Sequence, residues 1–299
     1  MSKINLHDLK ARIEAANVYA LAKRTPCELA PKLSLELERN IWLKREDLQD
    51  VFSFKIRGAT NRIAGLTDEE RTRGVCAASA GNHAQGVAAA GAYYNTTAVI
   101  FMPVTTPAIK VAAVESHGAE TRLVGDNYDE ACQAALDYAE ETGAVFIHPF
   151  DETDVIAGQG TVGREILEQM PRTPEAVYVC TGGGGLVSGI GTWIKSVSPN
   201  TRIIAVEPEG APTLATSLKE GTPTPLEKVD SFADGVAVKL IGTNTLEIAK
   251  KVVDEVILVS NDEICAAVKD VFEATRTVVE PAGALALAGL IKHVRDGKA

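Results

Sequence analysis

Residues Ala176–Ile190 read AVYVCTGGGGLVSGI. A short apolar run, AVYVC, meets Thr181 and four glycines, and a helical period follows in LVSGIGTWIKSV. A strand that passes through glycines into a helix is one βα unit. Glycine loses more conformational freedom on folding than any other residue, so four in succession need a reason. One reason is a backbone that wraps an anion with several N–H groups at a helix start, and a phosphate suits such a cradle. A turn made of glycine for conformational reasons alone is the other reading. The run is not a P-loop, because no Gly-Lys-Ser/Thr follows, and Ser188 stands where a GxGxxG fingerprint needs its third glycine. Leu186, two residues before Ser188, also rules out a GxSxG nucleophile elbow.

The same alternation extends through the chain. Candidate strands are NIWLKRE, GVCAAS, TTAVIFM, AETRLVG, AVFIHPF, AVYVCTG, TRIIAVEP and VILVS. Between them lie helical stretches: HAQGVAAAGAYY, PAIKVAAVESHG, YDEACQAALDYAEETG, TVGREILEQM and NDEICAAVKDVFEATR. This order predicts an α/β fold of parallel sheet flanked by helices, with ligands beyond the carboxyl ends of strands. The segment EGTPTPLEKVDSFADG (220–235) reads as a surface excursion and not as a domain boundary.

Bulk properties narrow the function. With 299 residues, 45% of them hydrophobic, the chain can bury a substantial core, and its length favours about two domains. The run ALALAGLI (284–291) falls far short of the roughly 20 apolar residues that span a bilayer, so no membrane span is expected. Charges through the N-terminal apolar positions do not match a secretory signal, which predicts a cytoplasmic location. The five cysteines stand far apart with no CxxC pair and no histidine at zinc spacing, as reduced thiols would. A formal charge of −10 without a dense basic block argues against nucleic acid and for a small-molecule partner.

Two further loops carry chemistry. In VFSFKIRGA (51–59), Lys55 sits among Phe52, Phe54 and Ile56. Apolar surroundings favour the neutral amine, which can attack a carbonyl; a lysine stem lying on apolar surface with its head in water is the plainer reading. In SAGNH (79–83), small residues let backbone N–H groups approach an anion, and Asn82 can hydrogen-bond a ring hydroxyl or oxyanion. An ordinary strand-to-helix turn capped by Ser79 or Asn82 would look the same. A lysine, an asparagine turn and a phosphate cradle together suggest a phosphorylated aldehyde cofactor, pyridoxal 5′-phosphate (PLP).

At this point LKREDLQDVFSFKIRGA, SAGNHAQG, GQGT, GGGGL, FADGVAVK and EPAGALALAGL resemble the threonine ammonia-lyase family (threonine dehydratase), in particular its biosynthetic type, within the fold-type II PLP enzymes. The similarity runs from about Thr25 to the end, with the motifs in order. The resemblance implies two open, twisted, mainly parallel sheets flanked by helices, like the tryptophan synthase β chain, with the active site between a large and a small domain. The large domain would comprise residues 1–50 and 151–299, and the small mobile domain residues 51–150. It implies that Lys55 binds the cofactor as a Schiff base, that Asn82 faces the cofactor's 3′-oxygen and that Phe54 packs beside the ring. Gly182, Gly183, Gly184 and Gly185, with Leu186, match the phosphate loop. Ser79, Ala80, Gly81 and His83 match the loop that receives the substrate carboxylate.

The implied reaction turns L-threonine into 2-oxobutanoate and ammonia, the first step of isoleucine biosynthesis. Lys55, displaced by the substrate amine, removes the α-proton, and the cofactor phosphate protonates the leaving hydroxyl. L-Serine, one methyl smaller, would give pyruvate, since pockets discriminate a methyl only by roughly 10- to 200-fold. Serine racemases of this fold carry serine where this chain has Ala80, and alanine cannot donate a proton, so elimination without racemisation is expected. A homodimer or homotetramer is implied as well.

Three departures from the pattern set further expectations. The family continues into a strand bearing a serine that contacts the pyridine nitrogen; here no residue after HVRDGKA supplies it, so a truncated chain with weakened PLP binding is expected. No regulatory domain follows, so feedback inhibition by isoleucine is expected to be absent. Relatives that bind a metal near EPEGAPT use a glutamate, a carbonyl and an aspartate; Glu207 and Ala211 remain but Thr213 replaces the aspartate. That leaves a monovalent cation or none, with Glu207 equally readable as a helix-capping or surface carboxylate. The competing functions are another fold-type II enzyme (a cysteine synthase relative, serine dehydratase or serine racemase), a catalytically impaired remnant, and a nucleotide-binding oxidoreductase. FSFKIRGA and SAGNHAQG disfavour the cysteine synthase type. An oxidoreductase would need its glycines on the first βα turn.

Overall fold

The computed structural model describes residues 5–298. Helix α1 (Leu6–Glu14) leads into a short antiparallel pair, β1 (Cys27–Leu29) and β2 (Trp42–Lys44), with α2 (Pro31–Glu36) between them and Glu28 opposite Leu43. The segment NIWLKRE is therefore a strand as expected, but it lies outside both parallel sheets. Its partner β1, three residues long, is too short to show a period in sequence.

A turn at Glu46–Leu48 leads to α3 (Lys55–Ala64), which is followed by α4 (Asp68–Arg73). Thr67 and Glu70 start α4 with a reciprocal capping box. Four parallel strands follow: β3 (Val75–Ala78), β4 (Ala98–Met102), β5 (Glu120–Leu123) and β6 (Val145–Phe146), in the order β5-β4-β3-β6. The connecting helices are α5 (Asn82–Tyr93), α6 (Ala108–Glu115) and α7 (Tyr128–Thr142). Alternate residues of the central strands serve opposite faces. Val75, Ala77, Ile100 and Met102 pack with α3 and α5 through Ala59, Ile63, Ala84 and Val87. Cys76, Ala78, Val99 and Phe101 pack against Ala131 and Ala135 of α7. Burial on both faces is why these strands read as unbroken apolar runs.

The second parallel sheet repeats this arrangement. Its strands β7 (Ala176–Cys180), β8 (Arg202–Pro208) and β9 (Glu255–Val259) lie in chain order. The helices are α8 (Thr153–Gln169), α9 (Gly185–Val197), α10 (Thr213–Glu220), α11 (Thr243–Val252), α12 (Asn261–Thr275) and α13 (Pro281–Arg295). Ile203 and Ala205 face α9 and α11 through Val187, Ile190, Leu246 and Ala249. Ile204 and Val206 face α12 and α13 through Ile264, Ala267, Leu285 and Ala288.

One helix is longer than its sequence suggests. TVGREILEQM is only the second half of α8, which begins at Thr153 and carries AGQG inside it. Glycine weakens an isolated helix, but these glycines permit close packing. A Cβ on Gly158 would lie 2.6 Å from the Arg57 carbonyl oxygen of α3, and one on Gly163 3.0 Å from Ile190 Cα of α9. Gly189 of α9 is equally constrained, with a Cβ falling 2.5 Å from Ile156 O and 2.6 Å from Gly160 N. Tertiary contact overrides the local preference.

Candidate active site

Lys55 is the first residue of α3. Phe54 supplies no side-chain cap there, and Ser53 Oγ accepts the Lys55 N–H at 3.3 Å. The Lys55 amine donates to Pro149 O at 2.9 Å and lies 5.6 Å from the centre of the Phe54 ring. Burial pushes the amine down to about 8, with the charge of Glu280 acting in the opposite sense. The carbonyl that meets it is held in place by His148, whose Nδ1 accepts the N–H groups of Phe150 at 3.2 Å and Asp151 at 2.8 Å. Burial pushes His148 down to about 4, which keeps its ring neutral and able to accept.

The tetraglycine turn ends β7 and opens α9. Gly184 is left-handed at φ +87°, and a Cβ there would meet the Thr245 side chain at 2.9 Å. A Cβ on Gly183 would fall 2.2 Å from the Phe150 ring, and one on Gly182 2.8 Å from Val236 Cα. Thr245 Oγ1 donates to Gly183 O at 2.8 Å. The turn is thus glycine because the Phe150 and Thr245 side chains and the Val236 backbone already occupy the space, while the first N–H groups of α9 lack helical partners.

Asn82 opens α5 at the end of β3, and its Nδ2 donates to Glu280 Oε1 at 2.8 Å. Gly81 occupies the cap position and makes no side-chain bond; Ser79 Oγ instead accepts the Gly81 N–H at 3.2 Å. His83 points into the core, where its Nε2–H donates to Ile147 O at 2.9 Å, and burial pushes its ring down to about 3.

One cavity of about 1170 Å³ is lined by Phe54, Lys55, Asn82, Gly182, Gly183, Gly184, Gly185 and Leu186, together with Pro149, Phe150 and Glu280. Three loops distant in sequence therefore meet. Ser79, Ala80, Gly81 and His83 sit on the turn beside Asn82 but are not part of the cavity wall. The imidazole of His83 is committed to Ile147, leaving its backbone as the part of this residue nearest the turn. Glu207 and Ala211 lie elsewhere, at the start of α10. There the Glu207 carboxylate accepts Leu214 N–H at 2.6 Å and Ala215 N–H at 2.9 Å, and burial pushes it up to about 7. Its oxygens cap a helix. Among the described residues no three His, Cys, Asp or Glu side chains cluster as a metal site, and no helix is long and apolar enough to cross a membrane.

The profile of the family described as pyridoxal-phosphate dependent enzyme matches residues 18–299. The chain belongs to this family. Threonine dehydratase 1 biosynthetic, chloroplastic, from Solanum lycopersicum is 52% identical over 283 residues, covering 95% of this chain and 47% of that protein. The chain thus spans about half the length of the curated relatives it matches. The solved structure of the processed form of threonine deaminase isoform 2 from Solanum lycopersicum superposes with a TM-score of 0.96 at 47% identity, covering 98% of this chain and 85% of that one. Maize serine racemase superposes with a TM-score of 0.88 at 35% identity, covering 95% and 84%. The family cofactor is PLP, and the cavity residues fit it. A lysine with a depressed pKa, a glycine turn free of Cβ atoms at a helix start, and a side-chain amide share one wall.

Sequence reasoning assigned no role to Glu280 or Phe150. Both stand in short motifs, EPAG and HPF, whose signal is a helix start after proline and a strand stop; nothing local indicates that they reach Lys55. Nor did the sequence expose the buried cluster below α3. There Arg57 binds Glu46 through Nε at 2.7 Å and Glu165 through Nη1 at 2.6 Å, while Lys44 donates to Glu165 at 2.5 Å.

Proposed function

We propose that this chain dehydrates and deaminates L-threonine to 2-oxobutanoate and ammonia, with L-serine giving pyruvate as a secondary reaction. The observation that carries the reading is the meeting of the Lys55 amine, the tetraglycine turn and the Asn82 amide on one cavity. The names of the dehydratase and deaminase relatives support the same substrate.

Bound PLP supplies an electron sink that stabilises charge developing at the substrate α-carbon. The chain's own groups do the rest. The N–H groups of Gly182 to Leu186 would hold the phosphate at the start of α9. Lys55 would anchor the cofactor, and its Nζ, when free, takes the α-proton. A value of about 8 leaves part of its population neutral near pH 7 and keeps the protonated form ready to return the proton. Backbone N–H groups of Ala80, Asn82 and His83, at the start of α5, receive the substrate carboxylate, while those of Ser79 and Gly81 are held by Phe101 O and Ser79 Oγ. The β-hydroxyl would leave as water on a proton that the bound cofactor's phosphate supplies, and hydrolysis of the released enamine gives 2-oxobutanoate and ammonia. Ala80 offers no acid on that turn, which favours elimination over the racemase outcome.

Residues 51–150 act in this reading as the mobile small domain, and residues 1–50 with 151–299 as the large one. Two ion pairs join these two parts: Lys110 with Asp234, and Lys239 with Asp129 at 3.3 Å. The reading also places the reaction at the first step of isoleucine biosynthesis, in the cytoplasm, performed by a homodimer or homotetramer; light scattering on eluted protein measures the assembly. The function is tested by reducing the PLP-loaded chain with borohydride, mapping the adduct by mass spectrometry and assaying keto acid from L-threonine. The expected result is a pyridoxyl group on Lys55 and 2-oxobutanoate in solution. An adduct on another residue, or no keto acid from a fully loaded chain, overturns it.

A further inference from the structure

Among the carboxylates of the cavity wall, Glu280 is bonded to Asn82, and the proposed reaction leaves it without a task. It precedes Pro281 at the start of α13, and its Oε1 accepts from Asn82 Nδ2 at 2.8 Å. The backbone of Gly235 approaches the same oxygen, since a Cβ there would lie only 3.1 Å away. The contact joins the two sheets: Asn82 follows β3 and Glu280 follows β9 and α12.

The two ends of an asparagine amide are nearly equal in shape, and their partners decide which way round they sit. An ionised carboxylate can only accept. Facing Glu280, Asn82 must therefore present its NH2 group, and the second N–H of that group remains for the cavity. Were Glu280 absent, or able to donate, the amide could turn and offer its carbonyl oxygen instead. For an anionic ring oxygen the difference is between a charge-assisted hydrogen bond and a repulsive contact.

We propose that Glu280 is a positioning residue that fixes the Asn82 amide with its donor toward the cofactor's ring oxygen. The inference rests on the PLP site proposed above and deepens it. It predicts that the loss of cofactor affinity on removing the Glu280 charge runs through Asn82, since the other effect of that charge, raising the Lys55 amine, works against attachment.

The experiment is a double-mutant cycle on the full chain, with E280Q, N82A and the pair. Affinity for PLP is read by fluorescence titration of the apo protein, and the absorbance maximum is read on the loaded protein. E280Q is expected to weaken PLP roughly tenfold and to shift the band, with apo thermal stability unchanged. N82A is expected to do the same, and the double variant to bind no worse than N82A. Losses that multiply in the double variant, or an E280Q protein with wild-type affinity and spectrum, overturn the proposal. If E280Q does not fold, N82D serves, because it sets two carboxylates together and offers no donor; wild-type affinity in N82D overturns the proposal equally. A wild-type chain that takes up no PLP at Lys55 instead overturns the site reading and this inference with it, so the two failures are distinguishable.

Discussion

Arg57 and Glu165 form a bidentate ion pair, Nη1 to Oε1 at 2.6 Å and Nη2 to Oε2 at 3.0 Å, with both side chains fully buried. The other edge of the same guanidinium holds Glu46 through two bonds of 2.7 and 2.8 Å. Arg57 is two residues beyond Lys55 at the start of α3, where a positive charge is unfavourable against the helix dipole unless it is paired. Two carboxylates, from the turn before α3 and from α8, supply that pairing and pin the first turn of the helix.

Replacing Arg57 with methionine strands the carboxylates beside a single lysine. Truncating one partner of a buried pair costs about 3–5 kcal/mol, so R57M is expected to lower the unfolding free energy by that amount, read from the fall in the urea midpoint multiplied by the m-value. R57K is expected to recover little, because an ammonium cannot bridge two carboxylates in a plane. The sign with pH follows from Glu165. Burial pushes its carboxyl up, but Arg57, Lys44 and Tyr19 together bring it below the usual value of 4.5. Its contribution to stability is present above that value and is lost as pH falls through the lower folded one. R57M is expected to show a flatter decline in acid.

Attachment of PLP requires the neutral Lys55 amine, which burial favours by bringing the group down from 10.5 to about 8. The rate of PLP uptake by the apo chain is expected to rise with pH and level off above a midpoint near 8. Stopped-flow absorbance follows it. A midpoint near 10.5 would indicate an amine in ordinary solvation.

Gly189 tests the contact between α8 and α9. The atoms nearest an added Cβ are backbone, Ile156 O at 2.5 Å and Gly160 N at 2.6 Å, and neither can move alone. G189A is expected to destabilise the chain by about 1–3 kcal/mol, the usual cost of overpacking, although alanine is the better helix former. Denaturant melts of the apo protein measure it.

Gly183 tests the phosphate turn. Its added Cβ would sit 2.2 Å from the Phe150 ring, which must then move into the cavity. G183A is expected to weaken PLP binding by at least tenfold, an effect of about 1.4 kcal/mol or more, measured by equilibrium dialysis.

Ala80 carries no proton to give. Incubation with L-serine is expected to yield pyruvate while the remaining serine stays L, as chiral chromatography of the unreacted amino acid reports. A build-up of D-serine would show that another group protonates the opposite face.

Much of this architecture is legible in the residues. Within GVCAA, TTAVIFM and TRIIAVEP the stretches VCAA, AVIFM and IIAV are apolar at successive positions because helices cover both faces of their sheets, and each lies in a parallel strand. VFSFKIRGA, SAGNH and CTGGGG each stop a strand or turn and open a helix, because small and polar residues leave helix N-termini accessible. The glycines within α8 misled for a physical reason: helix propensity is a local quantity, whereas their use is to let Arg57 O and Ile190 come close.

Residue types and their order specify the alternation of strand and helix, the three helix-opening loops and the set of chemical groups that a PLP site needs. Only the tertiary structure decided which distant groups face one another: Glu280 against Asn82, Phe150 over Gly183, and Glu165 beneath Arg57. The reason is that backbone preference and periodicity act over a few neighbouring residues. The partner of a side-chain charge or amide is instead set by packing among distant segments, 198 positions apart for Asn82 and Glu280 and 232 for Arg45 and Thr277.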